Sequence, residues 1–292
     1  MTTSPTLFVS GAGGKLGRRV VELLLERGYD GKIIAGSRAP GKLADLARVE
    51  ARQADFVDRD GMVAALKGVD KLLIISTDQI GVRLAGHQTA VEAAKIAGVK
   101  HIIYTSMPNP EPPSAITFAG DHHGTEEAMR ASGIPYTILR NTWYAENLLD
   151  SLPNVLASGQ WHTSAGTGRT GYVSREDCAR AAAGALLTPA ANQIYTVTGP
   201  ASLSNEEIAR IASEATGKPL SIVNVTDEQL AAGAKAAGVP DFVIENFIVA
   251  FDRNTREGKV DLATDAVETL WGEKPTALEA FLTANKAALV AA

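Results

Sequence analysis

The chain has 292 residues, 45% of them hydrophobic, and a formal net charge of −5. This length fits one large domain with a smaller lobe, and a weakly acidic chain without long runs of one charge argues against a nucleic-acid or membrane partner. The single cysteine, Cys178, cannot form an internal disulfide, and no stretch approaches the ~18 apolar residues of a membrane span. We expect a soluble, cytoplasmic protein with Cys178 in its core, and the sequence leaves open whether it forms a homodimer.

A glycine-rich turn follows the first apolar run, at residues 7–9, and an amphipathic helix begins directly after it. A second apolar segment comes next, at residues 32–36. Glycines allow a tight turn from strand to helix and bring backbone N–H groups close to a pyrophosphate at the positive end of the helix dipole. This succession predicts the start of a dinucleotide-binding βαβ unit. The residues that we assign to the pyrophosphate turn are Gly11, Gly13, Gly14, Lys15, Leu16 and Gly17.

The alternation of strands and helices continues through the first half of the chain. An uninterrupted apolar run such as residues 71–76 is typical of a parallel strand that is covered on both faces. Regular alternation of this kind predicts an α/β fold with a doubly wound parallel sheet, as in Rossmann domains. The further strands are expected at residues 51–55, 71–76, 101–106 and 136–140, with helices between them that include residues 82–97 and 120–131.

Beyond residue 151 the alternation loosens. We therefore assign residues 1–150 to an NADP-binding Rossmann domain, and residues 151–292 to a mixed region that completes the sheet and forms a smaller α/β substrate lobe. The expected elements of this region are a helix opening at Arg175, a strand at 194–198, a helix from a Ser204–Glu207 capping box to about Gly217, a strand at 220–225 and a helix at 227–237.

The end of the second strand carries cations where an NAD-selective Rossmann fold has an acidic residue. That acid would bind the 2′-hydroxyl of the adenosine ribose. Here the position reads Ser37-Arg38, and Lys42 follows one turn later. A guanidinium can pair bidentately with a 2′-phosphate, so the sequence favours NADPH over NADH. The alternative interpretation is that two solvated basic residues begin a helix.

The remaining cofactor residues are expected where the other strands end. The carboxyl ends of parallel strands meet at one edge of the sheet, and ligands bind there. Asp55 and Phe56 follow the third strand, where an adenine ring would rest, although a solvated turn explains them nearly as well. We assign Ser76 and Thr77, after the fourth strand, and Thr105 and Ser106, on the fifth, to the same cofactor groove.

The glycine turn and strand order resemble the short-chain dehydrogenase/reductase superfamily. The usual proton relay of that superfamily is Tyr-x-x-x-Lys, about a dozen residues beyond a serine on the fifth strand. Counting from Ser106 gives Phe118 and His122 at the tyrosine and lysine positions. Phe118 has no hydroxyl, so a reaction that needs a strong protein acid on a ketone oxygen would lack its donor.

This departure points to atypical members of the superfamily. Residues 11–17, 101–106, 124–127 and 134–147 resemble the NmrA-like family, and within it the branch of NADPH:quinone and triphenylmethane reductases. The Leu-Arg-Asn-x-x-Tyr-x-Glu-Asn signature at 139–147 is fairly specific, and the resemblance extends less sharply to the C-terminus. It implies an NADPH-binding atypical reductase, whereas the natural substrate does not carry over.

Acceptors that need no protein acid are compatible with the missing tyrosine. Reduction of a quinone gives a delocalised phenolate, with a reference phenol pKa near ~10, which water can protonate. Reduction of a triarylmethyl cation gives no oxyanion at all. The sequence thus favours an NADPH-dependent reductase of quinones or similar conjugated aromatic acceptors. Two alternatives stay open: a non-catalytic NADP(H)-sensing regulator of NmrA type, and a biosynthetic reductase or dehydratase on the same fold.

Three residues are candidates for catalytic positions. His122 would bind the nicotinamide ribose, as a cofactor contact, or donate to a substrate oxygen; alternatively it is a half-exposed helix residue, or it pairs with Glu126. Asn141 would hold nicotinamide or substrate, or it only forms a turn. Tyr144 would give an aromatic wall with one hydroxyl, or pack between the lobes. No metal is expected, because the histidines and glutamates at 122–127 do not have a known ligand spacing.

Overall fold

The computed structural model describes residues 4–290, and a seven-stranded parallel sheet forms its centre. The strands are β1 (Leu7–Val9), β2 (Ile33–Ser37), β3 (Val49–Gln53), β4 (Lys71–Ile74), β5 (His101–Ser106), β6 (Tyr136–Asn141), β7 (Gln160–Thr163), β8 (Arg169–Thr170), β9 (Gln193–Val197), β10 (Leu203–Ser204) and β11 (Ser221–Asn224). The spatial order in the central sheet is β3-β2-β1-β4-β5-β6-β9, which contains the doubly wound order of a Rossmann fold with one added strand. The predicted α/β class is confirmed.

Helices cover both faces of this sheet. The α-helices are α1 (Lys15–Glu26), α2 (Arg59–Ala65), α3 (Arg83–Ala97), α4 (Ala119–Ser132), α5 (Glu146–Ser158), α6 (Arg175–Leu187), α7 (Asn205–Thr216), α8 (Asp227–Ala236), α9 (Asp241–Val243), α10 (Ala250–Arg256), α11 (Ala266–Trp271), α12 (Leu278–Ala284) and α13 (Lys286–Val290). One face of the sheet packs against α1, α6 and α11, and the other against α2, α3 and α4, so the middle strands are buried from both sides. In residues 4–290, no helix is both long enough and apolar enough to cross a bilayer.

A smaller core lies beyond the sheet, where α5, α7, α12 and α13 pack together. Two short strand pairs accompany it, β7 with β11 and β8 with β10. The predicted capping box starts α7: Ser204 Oγ accepts from the N–H of Glu207 at 3.3 Å, and Glu207 accepts from the N–H of Ser204 at 2.8 Å. These reciprocal bonds satisfy backbone donors that a helix N-terminus otherwise leaves free.

Several expected boundaries differ from the observed ones. The third strand lies at Val49–Gln53 and not at 51–55, and the fourth ends at Ile74. The third strand is at the edge of the sheet and mostly exposed, so its apolar pattern gives little information on register. The sequence also did not predict the helical segment from Asp241 to Arg256, in which a π-helical stretch joins α9 to α10. Cys178 is buried, as expected.

Candidate active site

The glycine turn brings the start of α1 against the end of β1. Gly11 has a left-handed φ of +61°, and its carbonyl accepts from the N–H of Gly14 at 2.9 Å. A Cβ on Gly17 would lie only 2.5 Å from the Gly11 oxygen, so this close approach requires glycine. The N-terminus of α1 follows directly, with Lys15 exposed and Leu16 buried. The first backbone N–H groups of a helix have no partner within it, and they are suited to bind a pyrophosphate.

A cavity of about 450 Å³ runs past this turn along the carboxyl ends of β1 to β4. It brings together most of the residues that the sequence assigned to the cofactor. Lys15, Leu16 and Gly17 are not among its lining residues, because they form the first turn of the helix behind it. The predicted residues that line the cavity are Gly11, Gly13, Gly14, Ser37, Arg38, Lys42, Asp55, Phe56, Ser76 and Thr77.

One end of the cavity is positively charged. Arg38 and Lys42 lie exposed on its wall. A neighbouring cation, Arg18, forms an ion pair with the carboxylate of Asp45, with an Nη1 to Oδ2 distance of 2.9 Å. Ser37 closes the turn at this end, since its Oγ accepts from the N–H of residue 39 at 3.1 Å. Arg38 and Lys42 are thus the exposed cations among the residues that line this end of the cavity.

The loop after β4 is held in place by buried side chains. The N–H of Ser76 donates to Thr105 Oγ1 at 2.9 Å, and the N–H of Thr77 donates to His87 Nε2 at 3.3 Å. Because a backbone N–H can only donate, His87 accepts at Nε2 and donates from Nδ1 to Thr125 Oγ1, 3.0 Å away. Burial lowers the pKa of His87 to about 4, which keeps it neutral for this role. Thr105 therefore supports the loop from behind the cavity.

A buried arginine that the sequence analysis missed joins the cavity to α4. Arg83, in the first turn of α3, lines the cavity and is only 7% exposed. Its Nη1 lies 3.4 Å from both Ser76 Oγ and His122 Nε2, and its Nε lies 3.2 Å from the Asp121 carboxylate. The guanidinium carbon sits 5.0 Å from the centre of the Phe118 ring. The available signal was a basic residue opening the helix after the fourth strand, in a loop already assigned to the groove.

His122 is a buried, neutral residue. Its Nδ1 lies 2.8 Å from the Tyr104 hydroxyl, and since Arg83 can only donate to Nε2, Nδ1–H donates to the tyrosine. Burial lowers the pKa of His122 to about 3. The alternative of a half-exposed helix residue is therefore wrong, and so is the pair with Glu126, whose carboxylate binds Ser106, Arg130 and Arg140 instead. His122 reaches the cavity through Arg83, and it is not itself a lining residue.

The serine of the usual proton relay is held by a buried ion pair. Ser106 Oγ donates to Glu126 at 2.7 Å, and this carboxylate is completely buried. Arg140 holds the same carboxylate at 2.7 and 3.0 Å, and Arg130 holds it at 3.0 Å.

Across residues 4–290 no group of three or more His, Cys, Asp or Glu side chains is placed to hold a metal ion.

The last residue of β6, Asn141, and the aromatic residues that follow it, Trp143 and Tyr144, do not line the cavity. Asn141 is 6% exposed, and within the described residues neither its Oδ1 nor its Nδ2 has a hydrogen-bond partner. Trp143 stacks on Phe251 of α10 with ring centres 4.4 Å apart. Tyr144 is partly buried beside the guanidinium of Arg175, and burial raises its pKa. Trp143 Nε1 also lacks a partner within the described residues. A buried polar group without partners is costly, so Asn141, next to Tyr144, is a candidate for contact with a ligand.

Comparisons with known proteins agree with this geometry. A family model described as NAD(P)H-binding matches residues 11–189. Quinone oxidoreductase 2 of Escherichia coli is 37% identical over 239 residues, which cover 80% of this chain and 83% of that protein. A crystal structure of an E. coli NADPH-dependent quinone oxidoreductase with NADPH matches at a TM-score of 0.89 and 33% identity, covering 96% of this chain and 99% of the other. Triphenylmethane reductase of Citrobacter sp., complexed with NADP(H), matches at 0.86 and 32%, with 96% and 99% covered.

Proposed function

This chain belongs to the NAD(P)H-binding family and is an NAD(P)H-dependent oxidoreductase; we propose that it transfers hydride from NADPH to a quinone or a similar conjugated aromatic acceptor. The observation that carries the proposal is Phe118, which lies where the related dehydrogenases have an acidic tyrosine and which packs against His122 and Arg83. The acceptor must therefore be one whose reduction needs no strong protein acid.

The cavity residues fit NADPH. The N-terminus of α1 faces the pyrophosphate, and Arg38 with Lys42 binds the 2′-phosphate, because a guanidinium offers two parallel N–H donors to phosphate oxygens. Asn141 holds the carboxamide of the nicotinamide, which would satisfy the two amide atoms that lack partners. When bound, NADPH supplies the hydride, and the chain supplies its orientation and the exclusion of water.

Aromatic side chains from both halves of the chain form the acceptor wall in this proposal. Phe118 lies 6.1 Å from Phe247 and 6.4 Å from Phe251, ring centre to ring centre, and Phe251 stacks on Trp143. Residues 1–150 thus hold the cofactor, while residues 151–292 complete the sheet and contribute the acceptor lobe. Holding a flat acceptor ring against the nicotinamide can lower the barrier by up to about 7–11 kcal/mol at the limit.

The test is steady-state oxidation of NADPH, followed by its absorbance, with 1,4-benzoquinone beside an unactivated aliphatic ketone. We expect turnover of the quinone and very slow turnover of the ketone, whose alkoxide product is too basic to form without an acid. Efficient ketone reduction would show that a protein acid is present and would overturn the proposal. Tight NADPH binding without turnover of any quinone would favour the non-catalytic regulator instead.

A further inference from the structure

The guanidinium of Arg83 lies at the junction of the cofactor cavity and the aromatic wall. It lines the cavity beside Ser76, and on its other side it covers the ring of Phe118. The rings of Phe247 and Phe251 follow at 6.1 and 6.4 Å from Phe118. An acceptor ring held between the cavity and this wall would lie beside the buried positive charge of Arg83.

The pairing of Arg83 is weak for so buried a cation. Its Nε and the nearest oxygen of Asp121 are 3.2 Å apart, but neither atom makes a hydrogen bond of normal geometry. Arg140 shows what a neutralised arginine looks like in this protein, since it donates twice to Glu126 and once to Glu111. Burying a guanidinium is unfavourable unless it is well paired, so the imperfect pairing of Arg83 indicates a task beyond stability.

Asp78, which lines the same cavity, also attracts the charge of Arg83, but no hydrogen bond or ion pair joins the two residues in the described part of the chain. The remaining neighbours of Arg83 are uncharged. His122 accepts at Nε2 as a neutral ring, and the Phe118 face contributes only the attraction of a ring for a cation. In a site from which water is excluded, such a fixed charge acts strongly on an oxygen that becomes negative during the reaction.

We propose that Arg83 stabilises the oxyanion that forms on a reduced quinone, and that it makes the site selective for quinones over cationic dyes. The inference rests on the proposed function. Hydride transfer to a quinone breaks a C–H bond of the reduced nicotinamide, forms one O–H bond and leaves the electron pair on the second oxygen as a phenolate, which water then protonates. A triarylmethyl cation takes the hydride on carbon and becomes neutral. Arg83 therefore repels this substrate, and the reaction forms no oxyanion that Arg83 could stabilise.

The first test compares two acceptors on the same protein preparation. The ratio of kcat/KM for 1,4-benzoquinone to that for crystal violet does not depend on the folded fraction. We expect Arg83→Met to lower this ratio at least about tenfold, the loss typical of a hydrogen bond to a charged group, and Arg83→Lys to restore part of it. The double variant Arg83→Met/Asp121→Asn removes both charges and should show the same reduced ratio.

The second test measures charge stabilisation without turnover. 4-Nitrophenol is titrated by its phenolate absorbance while bound to the protein in the presence of NADP⁺. We expect the pKa of the bound phenol to lie at least about one unit below its value in water, and to return towards that value in Arg83→Met. NADPH affinity, followed by fluorescence, should change less than threefold in this variant. Arg38→Met is the matched control, because it should weaken NADPH binding and leave the acceptor ratio unchanged.

Each outcome separates this inference from the proposed function. An unchanged acceptor ratio in Arg83→Met, no binding of 4-nitrophenol to the parent, or a bound pKa equal to that in water would overturn the role of Arg83. A loss of NADPH affinity as large as that in Arg38→Met would make Arg83 a cofactor contact instead. If the parent does not reduce benzoquinone at all, the proposed function fails, and the 4-nitrophenol titration still decides whether Arg83 stabilises an oxyanion.

Discussion

Replacing Gly17 by alanine should destabilise the fold, although alanine is the better helix former. The added Cβ would lie 2.5 Å from the carbonyl oxygen of Gly11 and 2.9 Å from the Cα of Ala12. Both are backbone atoms, so no side-chain rotation can relieve the contact. Either α1 or the glycine turn must shift, and that shift separates the helix from the strand that positions it.

The size of the effect follows from two opposing terms. Overpacking of a close contact typically costs about 1–3 kcal/mol, whereas alanine in a helix gains about 0.5–1 kcal/mol over glycine. Because the contacts are with backbone atoms, the upper part of the overpacking range applies, about 2–3 kcal/mol, and we expect Gly17→Ala to lower the free energy of unfolding by roughly 1–2.5 kcal/mol. Gly120, in α4, is the matched control, because a Cβ there meets nothing within 4 Å. Its change to alanine should be neutral or stabilising.

The assay is urea unfolding of the protein without NADPH, because a ligand that binds only the folded state adds its own stabilisation. Gly14→Val completes the comparison. Gly14 has φ −93° and ψ 169°, which valine can adopt, and its Cβ would lie 3.3 Å from the Gly11 oxygen. This variant should fold and fail to bind NADPH in a fluorescence titration. If the free energy of unfolding of Gly17→Ala lies within about 0.5 kcal/mol of that of the parent, the typical range for a surface substitution, the steric reasoning is refuted.

Three further predictions concern the cofactor, the chemistry and the pH. Arg38→Ala should raise the Kd of NADPH about tenfold or more and leave that of NADH nearly unchanged, whereas Arg210→Ala, remote in α7, should change neither; equal losses for both cofactors would contradict this. Phe118→Tyr should keep benzoquinone turnover within a few-fold of the parent, since no phenol is needed there; a large rate gain would show that protonation limits the reaction. Burial lowers the pKa of His87 to about 4 and of His122 to about 3, from 6.5. The unfolded chain therefore binds more protons, and the free energy of unfolding should fall as the pH is lowered from about 6.5 towards 4; urea titrations that show constant stability there would rule this out.

The parts of the fold that the sequence predicted well are those whose burial is complete. The fifth strand lies at His101–Ser106, as expected, because helices cover both of its faces and every position is buried. The centre of such a strand, here Ile102 to Tyr104, is apolar whatever its register. β3 is different, since only one of its edges is paired and Glu50 and Ala51 are exposed. Its boundaries depend on pairing with β2, which no local pattern contains.

The sequence predicted the site residues whose position follows from a strand end, but not those whose position depends on packing between distant parts of the chain. The cofactor residues follow strand ends, and the carboxyl ends of parallel strands always share an edge. The position of Arg83 depends instead on which face of α3 turns towards α4. A buried arginine and an exposed one have the same sequence signature, and only the packing of Phe118 and Asp121 distinguishes them.

Neither the serine on the fifth strand, Ser106, nor the tyrosine position, Phe118, is available for the usual proton relay. This is the strongest structural reason to look for an acceptor that needs no acid. Ser106 Oγ donates a hydrogen bond to Glu126, and two arginines form ion pairs with that buried carboxylate. Restoring a tyrosine at Phe118 alone would therefore not rebuild a relay, because the serine partner is already bound elsewhere. Arg83 lines the cavity at this end beside Ser76, Thr77 and Asp78, and as an arginine it gives up no proton at neutral pH. We therefore expect this site to favour substrates whose reduction places charge on a delocalised oxygen.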